Sequence, residues 1–327
     1  MPLTSRFVTL IFGFALCALL ANHAALAVDA GERATLRQLY TSASGNKWND
    51  HEGWNAPPSS ECDWPGVCCD VDRTHGLLVR LNHTGFEGTL PALDGLQHLQ
   101  TFEVAENPGL QRPIPRVLGL HELQVFDVTD NALAGGIPEL DGLLHLERIS
   151  LSQNHLNGGV PTLRNLPALT EFAASENALT GTIPSFAQLP RLRPRSVDGN
   201  AMSGTLQEWH DLPELPLLSL AFNQLDGDLG LVRELPGLEY VRLFNNQFSG
   251  DLGALRDLPT LHTAELDNHM PERVQQAQLQ TRRRLGRRDK RPAMVSPLRA
   301  FDRRSGGVVS VGRRAIDARH LCRENRA

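Results

Sequence analysis

The chain has 327 residues, 41% hydrophobic and 21% charged, with a formal net charge of −5. Residues 271–327 hold 16 of the 32 Lys+Arg and 5 of the 37 Asp+Glu, a net +11, leaving 16 basic against 32 acidic residues, −16, before them. The total charge is therefore uninformative about partners, and the length allows one or two domains.

Residues 1–27 read as a secretory signal. Arg6 supplies the positive flank, and Phe7–Leu20 is a run of 14 residues interrupted only by Thr9 and Gly13. Ala25-Leu26-Ala27 places small residues at −3 and −1, so cleavage is expected before Val28. A signal anchor is the alternative, but a bilayer span needs nearer ~20 apolar residues. No later segment reaches that length, which argues against a single-pass receptor. The basic C-terminus argues against a lipid-anchor signal. The expected location is secreted or extracellular, at a cell wall or cell surface.

Residues 28–75 form a distinct N-terminal segment. Residues 29–44 read as a short amphipathic helix with Asp29 and Glu32 at capping-box spacing. Leu36, Leu39 and Tyr40 would be its buried stripe, and Gly45 its end. Trp48, Trp54 and the run Cys62-Asp63-Trp64-Pro65-Gly66-Val67-Cys68-Cys69 follow. Three cysteines so close could suggest zinc, but vicinal Cys68-Cys69 is poor ligand spacing and no His pair follows at finger distance. No metal and no cofactor are expected. Of the five cysteines, Cys17 leaves with the signal, so Cys62, Cys68, Cys69 and Cys322 remain. Asn82-His83-Thr84 is an N-x-[ST] sequon, a candidate glycosylation site.

Residues 76–270 repeat one phrase. Its register shows in Asn107, Asn131, Asn154, Asn177, Asn200, Asn223 and Asn246, spaced by 24 residues and then five times by 23. Each follows an L-x-L-like pair, as in Leu146, Ile149, Leu151 and Asn154, an L-x-x-L-x-L-x-x-N phrase. Each Asn amide is expected to bind backbone groups where the chain turns off its strand. Gly88–Pro91, Gly159–Pro161 and Gly181–Pro184 then supply a G-x-I-P-like second half. Eight units keep most of this pattern, and a ninth, near Ala264–His269, decays.

These motifs resemble the plant-type leucine-rich-repeat family. The resemblance implies an α/β solenoid, a horseshoe with a parallel β-sheet on its concave face and about 8–9 repeats of 23–24 residues. The segment around the tryptophans resembles that family's N-terminal cap, matching it at Leu36–Tyr40, Trp48, Trp54, Cys62, Trp64, Gly66, Val67 and Cys69. The family spacing implies a Cys62–Cys69 disulfide. Cys68 is then the odd one: free, paired with Cys322, or paired with another chain.

Phase identifies the residues facing out of the sheet. One outward column is Arg80, Glu103, Asp127, Ser150, Ala173, Ser196, Ser219, Arg242 and Glu265. The next is Asn82, Ala105, Thr129, Ser152, Ser175, Asp198, Ala221, Phe244 and Asp267. Glu103, Glu106, Asp127 and Asp130 would make an acidic patch. Leu217, Phe222, Tyr240, Arg242 and Phe244 would make an aromatic–aliphatic patch near the other end, a candidate ligand-binding surface. Unit six departs from the pattern by placing Arg195 at a core position, so its strand is expected to loosen or the side chain to reach out. The last three units lose the Pro of the I-P pair, so the far end is expected to be less regular.

Residues 271–327 are basic, lack apolar phasing and read as disordered. They could bind an anionic glycan or be processed at dibasic pairs. No nucleic-acid role is expected of an exported chain. His121, His145, His155 and His210 share no metal spacing, and no nucleophile or phosphate-binding motif is found. The expected function is a non-enzymatic recognition module that binds a protein, peptide or cell-wall polysaccharide through its concave face. The alternatives are a matrix or adhesion protein, a receptor-like ectodomain or an inhibitor of cell-wall enzymes.

Overall fold

In the computed structural model the expected first helix is α1 (Ala30–Ser42), with Leu36, Leu39 and Tyr40 buried. The described residues are 28–54, 56, 60–184, 189, 191–192, 194–206, 215–250, 255 and 258–266, with backbone alone at 194, 195 and 231. The signal segment 1–27 and the basic tail 271–327 lie outside them.

Asp29 caps α1 by accepting from the Gly31 N–H at 2.7 Å. The expected capping box does not form. The Asp29 N–H donates to Thr74 O at 3.0 Å, and Glu32 turns away from it. Glu32 Oε2 accepts from the Gly76 N–H at 2.7 Å, and Oε1 lies 3.1 Å from His75 Nδ1. The physical reason is burial. Glu32 packs under the cap, where a strand-initiating N–H and an imidazole offer it partners that a solvent-facing cap would not.

The tryptophans form the body of the cap. Trp48 meets Trp54 edge-on at 5.0 Å between centroids, Trp54 meets Trp64 at 4.9 Å, and Trp48 stacks on Phe86 of the first repeat at 5.2 Å. Each buried indole N–H finds an acceptor: Trp48 donates to Ala43 O, Trp54 to Pro65 O and Trp64 to Ser60 Oγ. A disulfide joins Cys62 to Cys69, the pairing that the cap's family spacing implied. Cys68 is not a free thiol, and Cys322 lies outside the described residues. Gly66, at φ +80°, is required where it stands, because a Cβ there would fall 2.2 Å from Arg80 O.

Strand β1 (Val67–Cys69) pairs antiparallel with β2 (Gly76–Arg80), handing the cap over to the repeats. Each unit then lays down an inner strand and an outer one. The first has β2 and β3 (Glu87–Thr89); the second, β4 (Thr101–Glu103) and β5 (Asn107–Arg112); the third, β6 (Val125–Asp127) and β7 (Asn131–Gly135). The fourth has β8 (Arg148–Ser150) and β9 (His155–Gly158); the fifth, β10 (Glu171–Ala173) and β11 (Ala178–Thr182). The sixth has β12 (Pro194–Ser196) and β13 (Ala201–Gly204); the seventh, β14 (Leu217–Ser219) and β15 (Gln224–Leu225). β16 (Tyr240–Arg242) and β17 (Thr263–Glu265) complete the inner sheet. That sheet has ten strands, of which β1 is the cap's, and it lines the concave face of the horseshoe. The outer strands form a second row from β3 to β15. Among the described residues the return segments are strands and turns with one 3-10 helix, Leu229–Glu234, and helix content is low. Their Gly and Pro residues favour extended chain over helix.

Between the sheets runs a continuous core. Leu146, Ile149 and Leu151 of one unit are all at most 1% exposed, and the equivalent residues of units two and five are as deeply buried. Each such side chain contributes about 1.5–3 kcal/mol of burial. The asparagines do what their position suggested. Asn107 Nδ2 donates to Leu81 O, Val104 O and Ala105 O, while its Oδ1 accepts from the N–H groups of Thr84, Gly85 and Phe86. Asn154 repeats the pattern, donating to Val128 O, Leu151 O and Ser152 O and accepting from the Leu133 N–H. Each amide therefore satisfies backbone groups of two successive units.

The residue before each Asn is left-handed. Glu106, Asp130, Gln153, Glu176, Gly199, Phe222 and Asn245 have φ between 54° and 67°. Polar residues and glycine tolerate this turn; Phe222 is the exception.

The strand of unit six is paired on both sides. Arg195 pairs in register with Phe172 on one side and Leu218 on the other. Backbone hydrogen bonds to both neighbours hold that strand; the Arg195 side chain lies outside the described residues. The far end is less regular, as the lost prolines suggested. β15 has two residues, and only a single bridge, Asp228 to Ser249, follows it in the described outer row.

Candidate functional site

The inner sheet turns sequence phase into a row of aligned side chains. Arg80 pairs with Glu103, Glu103 with Asp127, Asp127 with Ser150 and Ser150 with Ala173. Ala173 pairs with Ser196, Ser196 with Ser219, Ser219 with Arg242 and Arg242 with Glu265. This is the expected outward column in register. Its middle is small and its ends are charged, so the face is a shallow trough between two polar ends.

The second column is less open than phase implied. Ala105 and Ala221 are buried. The longer residues of this column bond to the next unit: Asn82 Oδ1 accepts from the Ala105 N–H and Asp198 Oδ1 from the Ala221 N–H. Small residues there sink beneath their neighbours. Asn82, the sequon residue, is itself exposed. Asp267 lies outside the described residues.

At the N-terminal end, the carboxylates have partners that local sequence did not show. Glu103 forms an ion pair with Arg80, and Glu106 lies 3.2 Å from His83. Asp127 accepts from the Thr129 N–H at 3.0 Å. Burial raises the Asp127 pKa above the ordinary carboxylate value, and Glu103 adds to the rise, against the Thr129 hydrogen bonds. The patch is less negative than four acidic residues suggest.

At the other end, the aromatic residues meet in two separate pairs. Leu217 and Tyr240 are register partners on β14 and β16. Phe222 and Phe244 meet edge-to-face at 5.0 Å between centroids. Tyr240 stacks near His262, 6.2 Å between centroids. Tyr240 is 46% and Phe222 43% exposed, high values for rings of this size. Arg242 shares β16 with Tyr240. Its guanidinium is 5.4 Å from the Phe244 ring centroid, 2.9 Å from Glu265 and 3.5 Å from Asp198. Asp198 also accepts from the Ser219 hydroxyl at 2.6 Å. Burial raises the Asp198 pKa, although Ser219 and Arg242 oppose it. Arg242 is thus paired with two carboxylates, and its guanidinium lies over the half-buried Phe244 ring. This arrangement offers apolar area beside a paired guanidinium. His262 was not singled out from sequence. Glu265 and Asp198 stand in the two outward columns, but their pairing with Arg242 was not legible there.

A disulfide-closed, tryptophan-rich cap, two rows of parallel strands and an asparagine ladder define the plant-type leucine-rich-repeat fold. No family model matches the chain, and no curated protein does. Solved structures do. The leucine-rich-repeat ectodomain of the plant membrane receptor kinase GASSHO1/SCHENGEN3 from Arabidopsis thaliana aligns at 24% identity and a TM-score of 0.58, covering 74% of this chain. A plant ice-binding protein aligns at 23% identity and a TM-score of 0.54, covering 74% of this chain and 88% of its own. The chain spans about a third of the receptor ectodomain, 34% of its length. These likenesses are of fold.

Proposed function

We propose that the chain is a secreted binding module that takes a protein or peptide ligand on the concave face of units seven and eight. The carrying observation is the edge-to-face pair of exposed Phe222 with Phe244, with the Arg242 guanidinium over the Phe244 ring and paired with Asp198 and Glu265, and exposed Tyr240 two residues before Arg242 on the same strand. Aromatic residues and Arg dominate the energetics of protein interfaces, and a rigid sheet spends little ordering entropy on binding. Because Arg242 is charge-balanced, the ligand gains mainly from ring contact and from the guanidinium plane rather than from net charge. Export is supported by the Cys62–Cys69 disulfide, which persists in oxidising compartments. Among the described residues no helix is long and apolar enough to cross a membrane.

The test displays the purified chain and its Tyr240→Ala/Phe244→Ala variant on peptide, secretome and glycan arrays. The proposal expects peptide or protein hits that the variant loses. Hits confined to glycans would replace the ligand class. Hits that the variant keeps would move the site.

A further inference from the structure

We propose that Glu32, His75 and His98 form a zinc site that clips the cap to the first repeat. Each comes from a different segment: Glu32 from the first turn of α1, His75 from the turn entering β2, and His98 from the return of the first unit. One ligand atom from each lies within 4.8 Å of the other two. Glu32 Oε1 and His75 Nδ1 are already 3.1 Å apart. The two imidazoles sit with centroids 3.8 Å apart and planes at 43°.

These separations suit zinc. Bonds of about 2.0–2.2 Å in a tetrahedron put neighbouring ligand atoms about 3.3–3.6 Å apart. The Glu32–His75 edge is near that length as it stands. His98 is exposed, and its ring, now against His75 at 3.8 Å between centroids, would swing outward to bring a nitrogen onto the ion. The donor set of two imidazoles and one carboxylate suits zinc among common divalent ions and is poor for calcium or magnesium, which take oxygen. The fourth position is left for water, because the His75 side chain is 35% exposed and His98 opens to solvent.

The surroundings are built to hold the ligands. Glu32 is 2% exposed, and the Gly76 N–H fixes its second oxygen at 2.7 Å. Asp70 ties the turn that carries His75: its Oδ1 accepts from the N–H groups of Thr74 at 2.7 Å and His75 at 3.2 Å. Such outer hydrogen bonds orient ligands and fix their geometry. A buried carboxylate also gains most from a cation it can reach. On zinc binding, the His75 Nδ1 lone pair faces the ion and the ring proton sits on Nε2, toward solvent. The ion takes the place of the proton that otherwise lies between Nδ1 and Glu32. It joins the cap helix, the turn between β1 and β2 and the return of the first repeat at one point.

The test uses tag-free full chain, stripped with a chelator and titrated with zinc chloride. Calorimetry should show one site, and the melting temperature should rise by roughly 5 °C at saturation. Cobalt(II) should give the absorption of a four-coordinate N/O site. His98→Ala replaces an exposed side chain. It should leave the metal-free melting temperature unchanged while weakening zinc binding by at least ~10-fold and abolishing the cobalt spectrum. Glu32→Gln should do the same to binding. No zinc-dependent melting shift in the parent chain would overturn the proposal. So would a shift that survives intact in both variants, since the ion would then sit on other histidines.

Discussion

Phe222 meets Phe244 edge-to-face from a backbone position that bulky residues avoid, at φ 54°. Its equivalents one and two units back are Gly199 and Glu176, both left-handed, and neither carries a ring. A strained residue kept at such a position points to a role for its side chain. Phe222→Asn should therefore fold as well as the parent chain or better, by up to ~1 kcal/mol, as urea unfolding would show. The same variant should bind the ligand more weakly. A clear loss of stability would mean that the Phe222–Phe244 contact serves packing alone.

Tyr240 tests the same surface from its exposed side. Tyr240→Ala should change stability by less than ~1 kcal/mol, because the ring is nearly half exposed. Affinity for a ligand recovered on the arrays should fall at least ~10-fold. A large drop in the melting temperature with affinity intact would assign Tyr240 to sealing the end of the array.

The asparagine ladder predicts a steep stability cost. Asn154→Ala removes the partners of three carbonyls and of the Leu133 N–H in a buried seam. The expected loss is about 3–5 kcal/mol, read from the urea midpoint. Asn154→Asp should also be costly, since a carboxylate cannot donate to those carbonyls.

In the cap, Cys62→Ser opens the loop to Cys69 and should destabilise the N-terminal end by about 2–4 kcal/mol. Hydrogen exchange should show the loss concentrated in α1 and β1, with the middle units protected as before.

Asp127 makes a pH-dependent prediction. Its carboxyl pKa is raised in the fold, chiefly by burial, so the native state holds the proton more tightly than the unfolded chain. The ionised form is therefore a cost at neutral pH, relieved as pH falls through the raised value toward the ordinary one. Asp127→Asn should raise the urea midpoint at pH 7, and the gain should shrink over that acidic window. An Asn gain that persists below the ordinary carboxylate range would point to a cause other than ionisation.

How much of this was legible in the sequence depends on periodicity. In the repeats, a residue and its counterpart 23 positions on are spatial neighbours. The column from Arg80 to Glu265 and the meeting of Leu217 with Tyr240 could therefore be read by counting. The Asn column carried its own chemistry in the same way. The cap has no period. Glu32 looked like half of a local capping box because the helix start was visible and Gly76, 44 residues away, was not. The trio of Glu32, His75 and His98 is hidden for the same reason, since its members lie 43 and 23 residues apart and two of them stand in the cap, a segment without a period. The burial of Ala105 and Ala221 was hidden because alternation assigns a side to a residue but not the height of its neighbours.

The regular step of the inner sheet has one more consequence: it is a ruler. Glu103 stands on the second of the parallel inner strands and Arg242 on the eighth, six steps away. At about 4.8 Å per step the two are separated by about 29 Å along the sheet. An extended chain of roughly nine residues covers that distance. A shorter peptide lying on Tyr240 and Phe244 would never touch the Arg80–Glu103 pair, so ligand length alone decides whether the two ends of the trough are read together.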